Sequence, residues 1–224
     1  MNIDKVEIKN KFELYGFILV YFILFVNAII TKDSVIALVS AFCGITYTIL
    51  AGKGFPICYL IGVVGSVFYS YLSFKSALWG NLILYALYYV PMQITGFFHW
   101  NKNLKSGKKE IIKIHLKQKE RFIIFTLGAL FSFVTALVLA HLGDKNPLFD
   151  SVTTVFSILG MYLTVRRAIE QWIIWIIVNG LSFLMWLEIA CSGTKVYSTV
   201  IMWGVYFILA MYFFSAWKKE VYSK

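Results

Sequence analysis

Apolar residues along this chain come in long runs rather than in short alternating stretches. Eight runs stand out, at 14–30, 34–50, 55–74, 77–98, 121–142, 149–165, 172–190 and 197–217. Each is close to the roughly 20 residues that a helix needs to cross the hydrocarbon of a bilayer. Backbone groups cannot go unpaired in hydrocarbon, so runs of this length predict transmembrane helices. Polar punctuation separates them: Thr31-Lys32-Asp33, Gly52-Lys53-Gly54, Lys75, Gly143-Asp144-Lys145-Asn146-Pro147 and Ser192-Gly193-Thr194-Lys195. Pro91 lies inside the fourth run and predicts a kink there. Acids and lysines alternate over the first thirteen residues, and no small-residue cleavage pattern follows the first run. That run therefore reads as a retained helix rather than a signal peptide.

Composition agrees. Of the 224 residues 60% are hydrophobic and only 14% charged, with a mean hydropathy of +0.76; soluble domains carry about 25% charged residues. The net charge of +10 does not point to nucleic acid, because the basic residues sit in connectors between apolar runs, where anionic lipid and topology account for them. With eight spans, both termini and every second loop share one side. That side carries Lys or Arg at 5, 9, 11, 53, 102, 105, 108, 109, 113, 117, 119, 121, 166, 167, 218, 219 and 224, and the other only Lys32, Lys75, Lys145 and Lys195. The bias predicts that both termini are cytoplasmic. The connector 101–120 mixes Ile111, Ile112, Ile114 and Leu116 with lysines, which suits a segment lying along the inner membrane surface or a plain basic loop.

A shift of 117 residues lays 34–50, 55–74 and 77–98 over 151–167, 172–191 and 194–215, and matches Tyr89 with Tyr206, Phe97 with Phe214, Trp100 with Trp217 and Lys102 with Lys219. The predicted fold is thus all-α and membrane-integral, with eight transmembrane helices. Two parallel three-helix repeats are joined by one linking helix (3+1+3), with an extra helix in front. The segments are 1–33 (tail and extra helix), 34–100 (first repeat), 101–148 (basic connector and linking helix), 149–217 (second repeat) and 218–224 (tail). Parallel repeats of this kind hold a substrate site where they meet, near mid-depth.

The candidate site starts from Trp172, Trp175 and Asn179, which share one stripe of a helix at spacings of three and four. Two indoles and a carboxamide suit a flat, polar, cationic molecule, although Trp172 also suits an interfacial aromatic belt. An amide about seven residues into a span needs a partner, either another helix or a ligand. The fourth run adds Asn81, Tyr85, Tyr88, Tyr89 and Gln93, and its counterpart in the second repeat carries Trp203 and Tyr206. No Arg or Lys lies inside a span, so a phosphorylated anion has no buried partner. Glu188 is the one acid that could couple transport to an ion, and it sits near an outer helix end; Asp150 suits a helix start. Passive, uncoupled transport follows. Cys43, Cys58 and Cys191 lack metal-ligand spacing, and their odd number argues against a disulfide framework. His99, His115 and His141 are scattered. No metal, cofactor or enzyme site is predicted.

The run Trp-x-x-Trp-x-x-x-Asn at 172–179, preceded by Gln171, resembles the signature of the PnuC family of bacterial vitamin transporters, and Asn81–Trp100 is similar to that family's third core helix. The resemblance runs from about residue 34 to the C-terminus. It implies a SWEET-type core in the bacterial cytoplasmic membrane, often trimeric, moving nicotinamide riboside by facilitated diffusion. It maps the substrate-binding residues onto Trp172, Trp175 and Asn179, with Gln93 as the helix-three glutamine. Relatives with the same core carry thiamine, riboflavin or deoxynucleosides, and a membrane receptor that binds without translocating is the alternative of another class. The residue chemistry suits the riboside. Indole faces attract its cationic ring by about 0.5–2 kcal/mol each, amides pair with its carboxamide, and Tyr85, Tyr89 and Asn81 suit its sugar hydroxyls.

Overall fold

The computed structural model describes residues 3–31, 35–75, 82–143, 146–192 and 197–222. Among them the chain forms eight helical segments and no strand. These are α1 (Ile3–Thr31), α2 (Val35–Lys53), α3 (Cys58–Lys75), α4 (a π-helical stretch Leu84–Tyr89 running on into Val90–Asn101), α5 (Gln118–His141), α6 (Pro147–Val165), α7 (Glu170–Cys191) and α8 (Tyr197–Tyr222). Six of them, α1, α3, α5, α6, α7 and α8, contain stretches long and apolar enough to cross a membrane, and α2 adds a shorter apolar stretch, Leu38–Lys53. Leu14, Phe22 and Ile29 on α1, and Phe122, Phe131 and Leu137 on α5, are exposed. In a bilayer such faces meet acyl chains rather than water.

The kink expected at Pro91 takes the form of a π segment. Proline has no N–H, and its ring crowds the carbonyl four residues back, here that of Leu87. The turn widens ahead of it, so the Val90 N–H bonds to the Tyr85 carbonyl, five residues back.

Helices α2, α3 and α4 form one unit and α6, α7 and α8 another, with α5 packed on α6 and α1 packed on α2 and α8. The units meet crosswise, the third helix of each against the first helix of the other: α4 on α6 and α8 on α2. The two first helices also end alike. Gly54 (φ 79°) and Arg167 (φ 63°) both sit in the left-handed region. The next N–H reaches five residues back in each case, Phe55 to Leu50 and Ala168 to Leu163, both at 3.0 Å. This is a Schellman ending. A left-handed arginine is strained where glycine is not. Arg167 takes up that strain with its guanidinium on the Ile112 carbonyl at 2.8 Å.

These turns are 113 residues apart, whereas Trp100 and Trp217, at the ends of the third helices, are 117 apart. The register is therefore 113 across the first two helices of each unit and 117 in the third. A single shift of 117 misaligns the first two by about one turn.

The connector is not free as a loop but straps the end of the bundle. A hairpin closes through Lys105 N–H to Glu110 O (2.8 Å) and Ile112 N–H to Asn103 O (2.8 Å). Next, Ile111 N–H donates to Gly54 O (3.0 Å), Ile114 N–H donates to Arg167 O (3.1 Å), and Ile169 N–H returns to Ile114 O (2.9 Å). The strap thus binds the left-handed turn of each unit. Ile111 and Leu116 plug the bundle and are fully buried. Lys105 and Lys113 pair with Glu220 (2.6 and 2.5 Å), and Arg121 with Glu170 (2.7 Å). Burial pulls the Lys105 ammonium down, but hydrogen bonds to Glu220 and Glu110 outweigh it and hold it above the ordinary lysine range. These pairs, with Lys53–Glu13 and Arg166–Glu120, all sit at this basic end.

Candidate functional site

The seam between the units is built twice from corresponding residues. On α8 against α2, the Tyr206 hydroxyl lies over Gly44, Phe213 covers Gly52, and Trp217 Nε1 donates to Gly52 O at 2.6 Å. On α4 against α6, Tyr89 lies against Ser157, Tyr88 donates to Ile158 O at 2.7 Å, and Trp100 Nε1 donates to Thr164 O at 2.9 Å and to Val165 O at 3.1 Å. Each unit's third helix therefore latches onto the closing carbonyls of the other unit's first helix.

At the basic end these latches form an aromatic floor. Tyr59 meets Trp100 edge-on (5.0 Å between ring centres, 82°), and Trp172 meets Trp217 the same way (5.8 Å, 77°). Tyr59 and Trp172 are themselves 113 apart. Trp172 also tilts over Phe213 at 5.4 Å. It is 2% exposed, and its Nε1 has no partner among the described residues. It lies about 3 Å along α7 from the helix start at 1.5 Å per residue, at the bottom of the stripe rather than in a lipid-facing belt.

Two aromatic walls stand one layer deeper. Trp175 is about 8 Å into α7 by the same rise. Its ring lies on Gly160, where a Cβ would fall 3.0 Å from Cζ2, and its Nε1 donates to Thr164 Oγ1 at 3.2 Å. Tyr47, about 9 Å from the end of α2, lies against Gly62, where a Cβ would fall 2.7 Å from its ring. The Tyr47 hydroxyl crosses the seam to Met161 Sδ at 3.9 Å. A Cβ on Gly62 would also fall 3.1 Å from the Gln93 carboxamide, so packing runs from Gln93 across Gly62 to Tyr47 and on to Met161, beside Gly160 and Trp175.

Deeper still, about 12–14 Å from the basic ends of their helices, come the amides. Gln93 is buried and exchanges hydrogen bonds with Ser66, donating from Nε2 at 3.1 Å and accepting at Oε1 at 3.3 Å. Asn179, 6% exposed, corresponds to Ser66 in the 113 register, and its carboxamide makes no hydrogen bond among the described residues. Its amide atoms are not fully enclosed, so the carboxamide faces space that a polar ligand can fill. Above this layer Tyr69, Tyr85, Tyr89 and Tyr206 cluster, with Tyr85 4.3 Å from Tyr69 and 4.8 Å from Tyr89 between ring centres. Trp203 meets Tyr206 edge-on at 6.0 Å. Asn81 lies outside the described residues.

The sequence-predicted residues thus fall into layers: Trp172 in the floor, Trp175 in the wall, Gln93 and Asn179 at mid-depth, and Tyr85, Tyr89 and Trp203 above. Tyr47 and Ser66 escaped the sequence reading. The 113 register would have found them, since it sets Tyr47 opposite Gly160 and Ser66 opposite Asn179. Among the described residues no group of three metal-ligating side chains occurs, and the layers present neutral donors, acceptors and π faces. The chemistry of such a lining suits stacking on a flat cationic ring and hydrogen bonding to its polar edge.

A family profile described as "Nicotinamide mononucleotide transporter" matches residues 34–219. The chain is 31% identical over 199 residues to the nicotinamide riboside transporter PnuC of Neisseria mucosa, covering 86% of this chain and 75% of the relative. It is 30% identical over 198 residues to the protein of the same name from Haemophilus influenzae, covering 85% and 82%. A solved structure titled "Crystal structure of the Vitamin B3 transporter PnuC" superposes with a TM-score of 0.79 at 30% identity, over 93% of this chain and 91% of that one.

Proposed function

The chain belongs to the nicotinamide mononucleotide transporter family, and from that membership we propose that it moves nicotinamide riboside across the membrane by facilitated diffusion, through the layered seam between its two units. The observation that carries this is the carboxamide of Asn179, one turn deeper than the Trp175 ring, which makes no hydrogen bond among the described residues. The riboside's pyridinium stacks on Trp175, and its carboxamide pairs with Asn179 and Gln93. Trp172 closes the floor, and Tyr85, Tyr89 and Trp203 form the upper wall. The riboside is favoured over the mononucleotide because no Arg or Lys lies in a span interior to neutralise a phosphate. The alternatives are thiamine, riboflavin or a deoxynucleoside as cargo, or a receptor that binds without translocating.

The units 34–100 and 149–217 act as rocking bodies. The Trp100 and Trp217 latches and the strap form the gate at the basic end. The charge bias supports a cytoplasmic position for that end and for both termini, in the bacterial inner membrane. The exposed apolar faces meet lipid and neighbouring copies, in a homotrimer. The extra helix α1 braces the seam, through Glu13 to Tyr212 and to Lys53.

Counterflow tests the reading. Proteoliposomes preloaded with unlabelled riboside take up labelled riboside transiently above equilibrium, whereas a receptor gives no overshoot. The uptake rate is unchanged by imposed proton or sodium gradients. Accumulation driven by either gradient contradicts uncoupled transport and returns Glu188 to the mechanism.

A further inference from the structure

Corresponding positions in the two units are inverted in size. In the first unit the first helix carries the large residue, Tyr47, and the second the small one, Gly62. In the second unit Gly160 is small and Trp175 large. The pairs Tyr47/Gly160 and Gly62/Trp175 are each 113 apart, the register set by the Gly54 and Arg167 turns. The inversion brings one aromatic ring from each unit to the same depth on opposite sides of one seam, since Tyr47 reaches Met161 and Trp175 lies on the adjacent Gly160.

We propose that Tyr47 is the second wall of the substrate site and that its hydroxyl reads the sugar of the riboside. This rests on the transport reading above and deepens it. Tyr47 is half-buried, and among the described residues the one partner of its hydroxyl is a thioether sulfur at 3.9 Å, a weak acceptor. A sugar oxygen is a better one. Orientation follows from the layering. The amides of Asn179 and Gln93 lie deeper than the rings and draw the ligand's carboxamide to mid-depth. The sugar, on the ring nitrogen, then extends toward the basic end. At that end the Tyr47 hydroxyl is held only by its weak thioether contact, and the Trp172 Nε1, the Tyr59 hydroxyl and the Gln171 Nε2 are buried with no partner among the described residues. Gln93, packed with Tyr47 over Gly62 and held by Ser66, sets the height at which the ring stops.

Tyr47→Phe and Met161→Leu separate a ligand contact from a packing role. Phenylalanine keeps the ring over Gly62 and removes only the hydroxyl. Leucine keeps the core volume and removes only the sulfur. Purified wild type and both variants are titrated with nicotinamide riboside, and with N-methylnicotinamide, which has the same ring and carboxamide but no sugar. The expected result is about tenfold weaker riboside binding in Tyr47→Phe, unchanged riboside binding in Met161→Leu, and equal N-methylnicotinamide binding throughout. Riboside binding at wild-type strength in Tyr47→Phe overturns the proposal, as does the same loss in Met161→Leu or an equal loss for both ligands. Wild-type protein that binds the riboside but shows one of these patterns leaves the transport reading standing. Wild-type protein that does not bind the riboside contradicts both.

Discussion

Alanine at Trp175 or at Asn179 abolishes most riboside uptake in proteoliposomes. The two changes act differently. Removing the indole takes away stacking and cation–π attraction of about 2 kcal/mol in a desolvated site, roughly 30-fold in affinity. It also opens a void over Gly160 and leaves Thr164 without its indole donor, so part of any loss comes from loosened packing. Trp175→Phe distinguishes the two: it keeps a ring on Gly160, folds as wild type, and gives an intermediate affinity. Asn179 has no such structural duty, since no protein group among the described residues depends on its carboxamide. Asn179→Ala therefore leaves the thermal midpoint close to wild type and weakens binding by the about 1–3 kcal/mol of a buried hydrogen bond. Normal affinity and uptake in both alanine variants would remove these residues from the site.

Arg121→Ala lowers stability by about 3 kcal/mol, the low end of what a broken buried ion pair loses, because the Arg121 side chain is itself 41% exposed and partly screened. The reason lies in Glu170, which is fully buried at the start of α7. Its carboxylate accepts Arg121 Nη2 at 2.7 Å, Arg121 Nε at 3.2 Å, and the strap's Leu116 N–H at 3.2 Å. Without the guanidinium a buried charge keeps only one backbone donor. Glu170→Gln has a smaller effect, because the arginine left over can turn to water. In the double variant Arg121→Ala/Glu170→Gln the losses are less than additive. Thermal denaturation in detergent reads all three. An Arg121→Ala midpoint equal to wild type would show that the strap is not anchored through this pair.

How much of this was legible in the sequence depends on what each feature is made of. The spans follow from run length against bilayer thickness, so all eight runs correspond to helical segments, and the latches Trp100 and Trp217 surfaced as a matched pair. The register of the first two helices did not. The two units differ in length between their second and third helices, and a gapless shift can satisfy only one part. Tyr47 stayed hidden for the same reason, since only the 113 register sets it opposite Gly160. The strap was unreadable because lysines interleaved with isoleucines show no partner in the sequence; only the carbonyls of Gly54 and Arg167, placed by tertiary structure, show that the segment is bonded across the bundle end. Trp172 is the same kind of case, since a tryptophan at a span end reads alike as belt or floor until Trp217 is seen beside it.

The central claim is that a flat cationic ring is enclosed between the two units, and the most direct measurement is a density map of the protein with nicotinamide riboside bound. The ring is expected against Trp175, with the ligand's carboxamide about 3 Å from the amide of Asn179. Density for the riboside on an outer helical face, or a filled seam in which Asn179 has turned to another helix, contradicts it.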